Sequence, residues 1–413
     1  MEVKPGYKQT EVGVIPEDWR VGPLGGLVSS VIDNRGKTPP LASHGHPMIE
    51  VNAIYGADRT PNFSKVTKFV DQHTYENWFR RGHPKTGDIL IATVGTAGAS
   101  VIVGDQPGVI AQNIIALRVS SQHNPSFVFQ YTQTELFKSQ VRSVLMGAVQ
   151  PSLKVPHLLG FLISYPRSEP EQCAIATALS DVDALLGALD RLIAKKRDLK
   201  QAALQQLLTG QTRLPGFHGE WEVKRLGDVV DTDPENLGSD TKSDFAFNYI
   251  ALEDVDRGFL RSHSEQLFSN APSRARRKLH LDDVLVSTVR PNLQSHLLFR
   301  AEGGSWVCST GFCVVRCRQG VTHPSYVFFH LFANCVNRQI ETLLTGSNYP
   351  AINSGDVRAL EIPLPTHAEQ IAIAAVLTEM DAELAVLEQR LAKTRALKQG
   401  MMQELLTGRT RLI

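Results

Sequence analysis

The sequence predicts an α/β (α+β) protein made of two tandem copies of one unit, each a mixed domain of short strands and helices followed by a long helix. Three observations predict it. The segment 171–214 returns without a gap at 369–412, EQCAIATALSDVDALLGALDRLIAKKRDLKQAALQQLLTGQTRL against EQIAIAAVLTEMDAELAVLEQRLAKTRALKQGMMQELLTGRTRL, with roughly 24 identities in 44 positions. Weaker echoes stand at nearly the same shift: IPEDWRVGPLGGLV answers HGEWEVKRLGDVV, GDILIATVG answers DDVLVSTVR, and MGAVQPSL answers TGSNYPAI. Within the repeated segments the apolar residues step by four and three, the period of a helix with a narrow seam. The repeat therefore divides the chain into mixed domains at 1–166 and 215–365 and helical segments at 167–214 and 366–413.

The mixed domains are read from short β-rich runs bounded by Gly, Pro and Asp. These are DILIATVG, SVIVGD and IIALRV in the first, and DVLVSTV, SHLLFR and FCVVRC in the second. SFVFQYTQTELFKSQVRSVL and SYVFFHLFANCVNRQIETLL then read as amphipathic helices leading to the loops MGAVQPSL and TGSNYPAI.

The long helices have marked ends. Ser168 to Glu171 and Thr366 to Glu369 fit the S/T-x-x-E capping box, whose side chains satisfy the free amides of the first turn. Gly210 and Gly408, each closing a Leu-Leu-Thr-Gly run, stand where a helix stops in the left-handed conformation. Between these marks the seam is Ile175, Leu179, Val182, Leu186, Leu189 and Ile193 in one copy and Ile373, Leu377, Met380, Leu384, Leu387 and Leu391 in the other. About 40 residues at 1.5 Å each give a rod of roughly 60 Å. Two such rods most economically bury their seams on each other, and an antiparallel coiled coil relates the two copies by an approximate two-fold axis; the alternative is that each helix packs on its own domain.

Composition limits the function classes. The chain has 413 residues, 42% of them hydrophobic, enough for sizeable cores. No run reaches about 18 uninterrupted apolar residues and the start, MEVKPGYKQTEVG, lacks a signal-peptide core, so the expectation is a cytoplasmic protein with no membrane role. Five cysteines do not make a disulfide framework. Cys173 stands where the other copy has Ile371 and reads as a small apolar core residue, while Cys313 and Cys317 lie on a strand without nearby metal ligands. A net charge of +1 argues against holding nucleic acid unaided through many phosphates.

At this point the chain resembles, over essentially its full length, the DNA-specificity subunits of Type I restriction-modification systems. The resemblance rests on the domain and helix order, on IPEDWRVGPLG, RGKTPP, STVRPN and GSNYPAI, and on the two helices running from Glu-Gln to Leu-Leu-Thr-Gly. It implies a non-catalytic subunit whose two target-recognition domains each read one half of a bipartite, asymmetric site in double-stranded DNA. The helices would hold the domains apart as a ruler and dock two methyltransferase (modification) subunits, with restriction (translocase-nuclease) subunits completing the complex. No cofactor is expected in this chain; S-adenosylmethionine, ATP and Mg belong to the partner subunits, which would carry adenine-N6 methylation and endonuclease activity. The rival reading is a coiled-coil adaptor that spaces two modules without DNA affinity.

Enzyme motifs are decoys. RGKT at Arg35 to Thr38 lacks the phosphate loop's earlier glycine, finding Val31 instead. NPSF at Asn124 lacks the second proline of an adenine methyltransferase motif and reads as a helix start, no glycine-rich cofactor loop follows a strand, and the histidines show no metal-binding spacing. No catalytic or metal residue is therefore assigned.

Candidate DNA contacts are sought on the paired loops, because Arg holds guanine O6 and N7 and Asn or Gln holds adenine N6 and N7. In the first domain they are Arg35 and Lys37, Thr93 and Thr96, and Gln150; in the second, Arg290 and Asn292, and Ser347 and Asn348. The run Arg274, Arg276, Arg277 and Lys278 would clamp phosphates. Each of these residues also suits a turn cap or a solvated face.

Overall fold

A computed structural model describes all residues except 1–3, 35, 37, 57–58, 147–150, 346–349 and 413. The chain forms two compact units, one of residues 1–191 with 388–413 and the other of 192–387. Each unit thus holds one mixed domain together with parts of both long helices.

In the first unit a four-stranded antiparallel sheet runs in the order Val28–Asp33, Ile114–Val119, Ile89–Ala92, Ser100–Ile102. The runs IIALRV, DILIATVG and SVIVGD supply three of these strands, mostly apolar because both sheet faces are covered. A smaller sheet of Phe69–Val70, His46–Ile49 and Val109–Ile110 packs beside it. Helices Pro125–Thr132 and Glu135–Leu145 follow, the first capped by Asn124, whose side chain accepts from Phe127 N at 3.0 Å, and the second by Thr134, which accepts from Phe137 N at 3.2 Å. The NPSF string is therefore a helix start. Strand Leu162–Tyr165 pairs with Arg20–Pro23 and delivers the chain to the first long helix, Glu169–Leu208.

The second unit repeats this plan with a larger second sheet. Val230–Thr232, Phe312–Cys317, Val284–Ser287 and Leu297–Leu298 form one sheet; Ser264–Leu267, Ala246–Ile250, Trp306–Ser309 and Ala275–Leu279 form the other. Helices Pro324–His330 and Asn334–Leu343 come next, and Glu222–Arg225 pairs with Glu361–Leu364 before the second long helix, His367–Leu405. One ion pair recurs in both domains. Asp88 receives Arg118 at 2.7 Å and the Lys85 amide at 2.8 Å; Asp283 receives Arg316 at 2.9 Å and the His280 amide at 2.8 Å. Each carboxylate closes the turn that launches a central strand and pins the neighbouring strand.

The long helices run antiparallel within each unit. In the first, Lys398 meets Asp183 at 2.5 Å and Arg395 meets Asp190 at 3.2 Å, while Ile175 and Leu179 share a core with Leu405 and Leu406. In the second, Lys200 pairs with Asp381, Lys196 with Glu383 at 2.6 Å, and Ile373 and Leu377 pack on Leu204, Leu207 and Leu208. All twelve seam residues are buried or half-buried. The two ways of burying the seam are both used: the first turns of each helix also pack on their own domain, through Phe127 and Phe129 in one unit and Tyr326 and Phe329 in the other. Among the described helices, Glu169–Leu208 has the length and composition to cross a membrane, and its seam residues Ile175, Leu179, Leu189 and Ile193 are buried in the protein.

The glycine stops hold, since Gly210 and Gly408 both have φ of 70° and sit against Trp221 and Trp19. The capping boxes need correction. Thr366 Oγ1 accepts from Glu369 N at 3.4 Å, but the glutamates do not reach back to their own helix. Glu369 is 1% exposed and receives Arg213 Nε at 2.6 Å, Arg213 Nη2 at 2.7 Å and Trp221 Nε1 at 3.2 Å; Glu171, equally buried, receives Arg411, which also binds Asp18. A carboxylate that meets a guanidinium gains more than one that adds a second bond to an exposed amide. Cys173 is also corrected: it is exposed, on the solvent side of a helix whose opposite side carries Ile175 and Leu179.

Candidate nucleic-acid interface

In each domain the backbone brings the two motif loops together by the same bonds. Leu153 N donates to Thr93 O at 2.8 Å and Val94 bridges Ser152; Ile352 N donates to Thr288 O at 2.9 Å and Val289 bridges Ala351. The loops that follow the central strands, TVGTAG and TVRPN, are thus joined to those that follow the domain helices. Loops carried on a rigid sheet present side chains reproducibly, which sequence reading requires.

The first-domain loop turns at Gly95, with φ of 78°, and Gly98, with φ of 90°, where a Cβ would lie 2.9 Å from Val141. Val94 and Gly95 are its exposed residues. Thr93 is corrected as a base-reading candidate: it is 1% exposed and its hydroxyl donates to Asn113 O at 3.0 Å, so it closes the strand end. Thr96 is half-buried, its hydroxyl shielded from solvent. It lines a cleft of about 300 Å³ with Gln133, Lys138 and Arg142. Lys138 and Arg142 lie on the second domain helix and Gln133 closes the first; sequence reasoning missed them because their spacing reads as an ordinary solvated helix face. Arg35, Lys37 and Gln150 lie outside the described residues.

In the second domain Arg290 and Asn292 are both exposed on the loop. Arg290 sits in the left-handed region at φ 48°, its amide donating to Pro350 O at 2.8 Å, and Gln294 repeats that conformation at φ 57°. Beneath the loop His296 is wholly buried, accepting from Ser287 N at 3.1 Å, and burial lowers its pKa to about 4. Ser347 and Asn348 lie outside the described residues.

The basic run forms an edge strand, Ala275–Leu279, rather than a turn. Arg277 is corrected as a phosphate clamp. Its side chain is 14% exposed and pairs with Asp233, which also accepts from Val314 N at 2.8 Å and Ser354 Oγ at 2.6 Å. Arg276 lies over the Phe268 ring at 5.0 Å, and Lys278 lines an open cleft of about 610 Å³ with Glu235, His280 and Trp306. Arg274 is exposed. The Arg316 guanidinium beside Glu235 holds that carboxyl below the usual range. Among the described residues no group of three or more His, Cys, Asp or Glu is placed to hold a metal ion.

A family profile described as "Type I restriction modification DNA specificity domain" matches residues 16–195 and again 218–394, each match taking one mixed domain and most of its helix. The chain belongs to the Type I restriction-modification DNA specificity family. The putative type I restriction enzyme MjaX specificity subunit of Methanocaldococcus jannaschii is 23% identical over 98% of this chain and 97% of its own length. The MjaVIII specificity subunit of the same organism is 26% identical over 51% of this chain and 50% of its own. The fold is similar to the S subunit of a Type I restriction-modification system from M. genitalium, with a TM-score of 0.61 and 12% identity, over 98% of both chains. A chain from a structure concerned with complex assembly and conformational transition of the type I R-M system gives a TM-score of 0.51 and 18% identity over 95% of this chain and 99% of its own. The two mixed domains are accordingly the target-recognition domains of a specificity subunit, and their role is DNA sequence specificity.

Proposed function

We propose that each target-recognition domain reads one half of a bipartite, asymmetric site in double-stranded DNA, and that the long helices set the spacing and dock two modification subunits. The observation that carries this is the contrast between the two parts of the repeat. Arg213 with Glu369 and Arg411 with Glu171 are one contact made twice with the copies exchanged, as are Lys200 with Asp381 and Lys398 with Asp183. The helices thus offer two equivalent surfaces, suited to two identical partners. The loops offer unlike groups: glycines and a threonine in one domain, an arginine and an asparagine in the other. Unlike loops give unlike half-sites.

In this reading the chain transfers no methyl group and cuts no DNA. S-adenosylmethionine, ATP and Mg act in modification and restriction subunits, and the complex works in the cytoplasm. With a net charge of +1, the partners also supply part of the phosphate affinity. The test is to exchange residues 15–166 for the matching domain of a relative and map methylated adenines genome-wide. One half-site should change and the other persist. A change in both, or in neither, overturns the assignment, and a complex that binds no DNA leaves the helices as a scaffold only.

A further inference from the structure

Among the described residues the non-glycine positions with positive φ are Asp233, Arg257, Asp282, Arg290 and Gln294, all in the second domain. Three of them, Arg257, Arg290 and Gln294, stand on two loops tied together by the bond from Gly258 N to His296 O, 2.9 Å long. Left-handed backbone at side chains as long as Arg and Gln is disfavoured and persists where the surroundings impose it. The surroundings here are a minimal ribbon. Val255–Asp256 pairs with Phe259–Leu260, and the two residues between, Arg257 at φ 40° and Gly258 at φ 92°, make a turn that needs positive φ at both positions. Asparagine and glycine fill the first such position easily; arginine does not.

The ribbon has one anchored face and one free face. Val255 is 3% exposed in the core, Leu260 packs beside it, and a Cβ at Gly258 would lie 3.1 Å from the Phe328 ring. On the other face Asp256, Arg257 and Phe259 are exposed, Phe259 to 58%. Arg261 lies over the Phe259 ring at 5.3 Å and meets Asp256 at 3.0 Å, which cancels the one acid of the ribbon. Among the described residues no hydrogen bond or ion pair engages the Arg257 guanidinium, so the tip carries a positive, multiply donating group two residues from the exposed Phe259. The loop on its flank carries the exposed Arg290, Asn292 and Leu293.

We propose that this ribbon enters the major groove of the half-site read by the second domain, Arg257 holding a guanine through O6 and N7 and Phe259 lying against a thymine methyl group. The inference rests on the reading that this domain binds double-stranded DNA. A two-stranded ribbon fits the major groove, a guanidinium matches the paired acceptors of guanine, and an apolar ring matches the one methyl group the groove displays. Charge and shape both favour this occupant: the tip is positive, and it projects rather than encloses.

The test uses the full chain with its co-purified modification subunits and duplexes carrying the site mapped by the domain exchange. Each guanine of the second half-site is replaced in turn by deazaguanine lacking N7, and each thymine by uracil. The wild type should lose about ten- to a hundredfold in affinity at one guanine and a smaller factor at one thymine. Arg257→Gly should lose the same factor on the natural site and become indifferent to deazaguanine, while folding at least as well, because glycine suits the turn. Phe259→Ala should become indifferent to uracil and keep its response to deazaguanine. Sequence-specific binding that responds alike in the wild type and both variants overturns the ribbon assignment while leaving the domain's role intact. Wild-type binding that ignores sequence overturns both.

Discussion

Glu369→Gln is the sharpest test of how the two copies are held together within a unit. The side chain is 1% exposed and accepts two bonds from Arg213, at 2.6 and 2.7 Å, and one from Trp221 at 3.2 Å. Glutamine keeps the shape and one carbonyl oxygen, so the packing is unchanged and the loss is electrostatic. Two bonds between opposite charges become at most one bond from the guanidinium to a neutral carbonyl, a loss of about 1 kcal/mol for each bond, and the new amide N–H₂ faces a donor, about 1 kcal/mol more. Removing one partner of a fully buried pair costs about 3 to 5 kcal/mol, but Arg213 is 26% exposed and water recovers part of this. The expected destabilisation is therefore about 2 to 3 kcal/mol. Urea unfolding followed by circular dichroism measures it, with Arg213→Met and the double variant completing a cycle. The double variant should cost less than the sum of the singles by at least about 1 kcal/mol. A single-variant effect under about 0.5 kcal/mol, or strict additivity, would refute the claim that this carboxylate stabilises the helix start through Arg213.

Two further outcomes follow from the structure. His330 is 1% exposed with neither ring nitrogen hydrogen-bonded, and burial lowers its pKa to about 3. The unfolded chain takes up that proton near pH 6.5 and the folded chain does not, so stability is full above that pH and falls by about 1.4 kcal/mol per unit between pH 6 and 4. His330→Phe should flatten this slope in pH-dependent thermal unfolding, leaving the shares due to His296 and to the less buried His83, His123 and His323, whose pKa values burial also lowers; an unchanged slope removes His330 from the account. Separately, matched seven-residue blocks inserted after Ala194 and Ala392 keep the seam in register and lengthen each rod by about 10 Å, or about three base pairs. Methylome mapping should find a longer spacer between unchanged half-sites, and altered half-sites with an unchanged spacer would show that the helices are not the ruler.

Much of the fold was legible because helix and strand periods are local. The seam, the glycine stops and the runs IIALRV and FCVVRC are set by residues within a few positions of each other. What was not legible depends on partners far along the chain. The S/T-x-x-E pattern correctly marked helix starts, yet Glu171 answers Arg411 and Glu369 answers Arg213. Ala275–Leu279 carries three consecutive basic residues, a pattern that suits a phosphate clamp or a solvated turn; it is a strand because Ala275 and Leu279 face the core and Asp233 receives Arg277. Thr93 looked like a loop reader, but Asn113 O takes its hydroxyl. Arg257 escaped notice because an arginine before a glycine has no periodicity, and only its φ marks it.

The joints between domain and helix show how the helices kept their sequence while the heads diverged. Asp183 and Asp381 occupy matching places, and each receives a lysine from the other copy, Lys398 and Lys200. Beyond that lysine the two joints differ. Asp183 also accepts from Gln130 at 2.7 Å, and Arg59 approaches it at 3.8 Å while binding Ser180 and Ser126, so the first domain is fastened by polar bonds. In the second, Phe329 stands where Gln130 does, and Lys200 lies over its ring at 5.7 Å. The helix residue is the same and the domain residue is not. An aspartate–lysine pair is able to serve both, because the lysine offers a charge to an amide-rich joint and a cation to an aromatic one. A head is therefore free to change its reading loops and even its contact residue so long as the helix pair stays, which accounts for 44-residue segments that remain alike beside domains that do not.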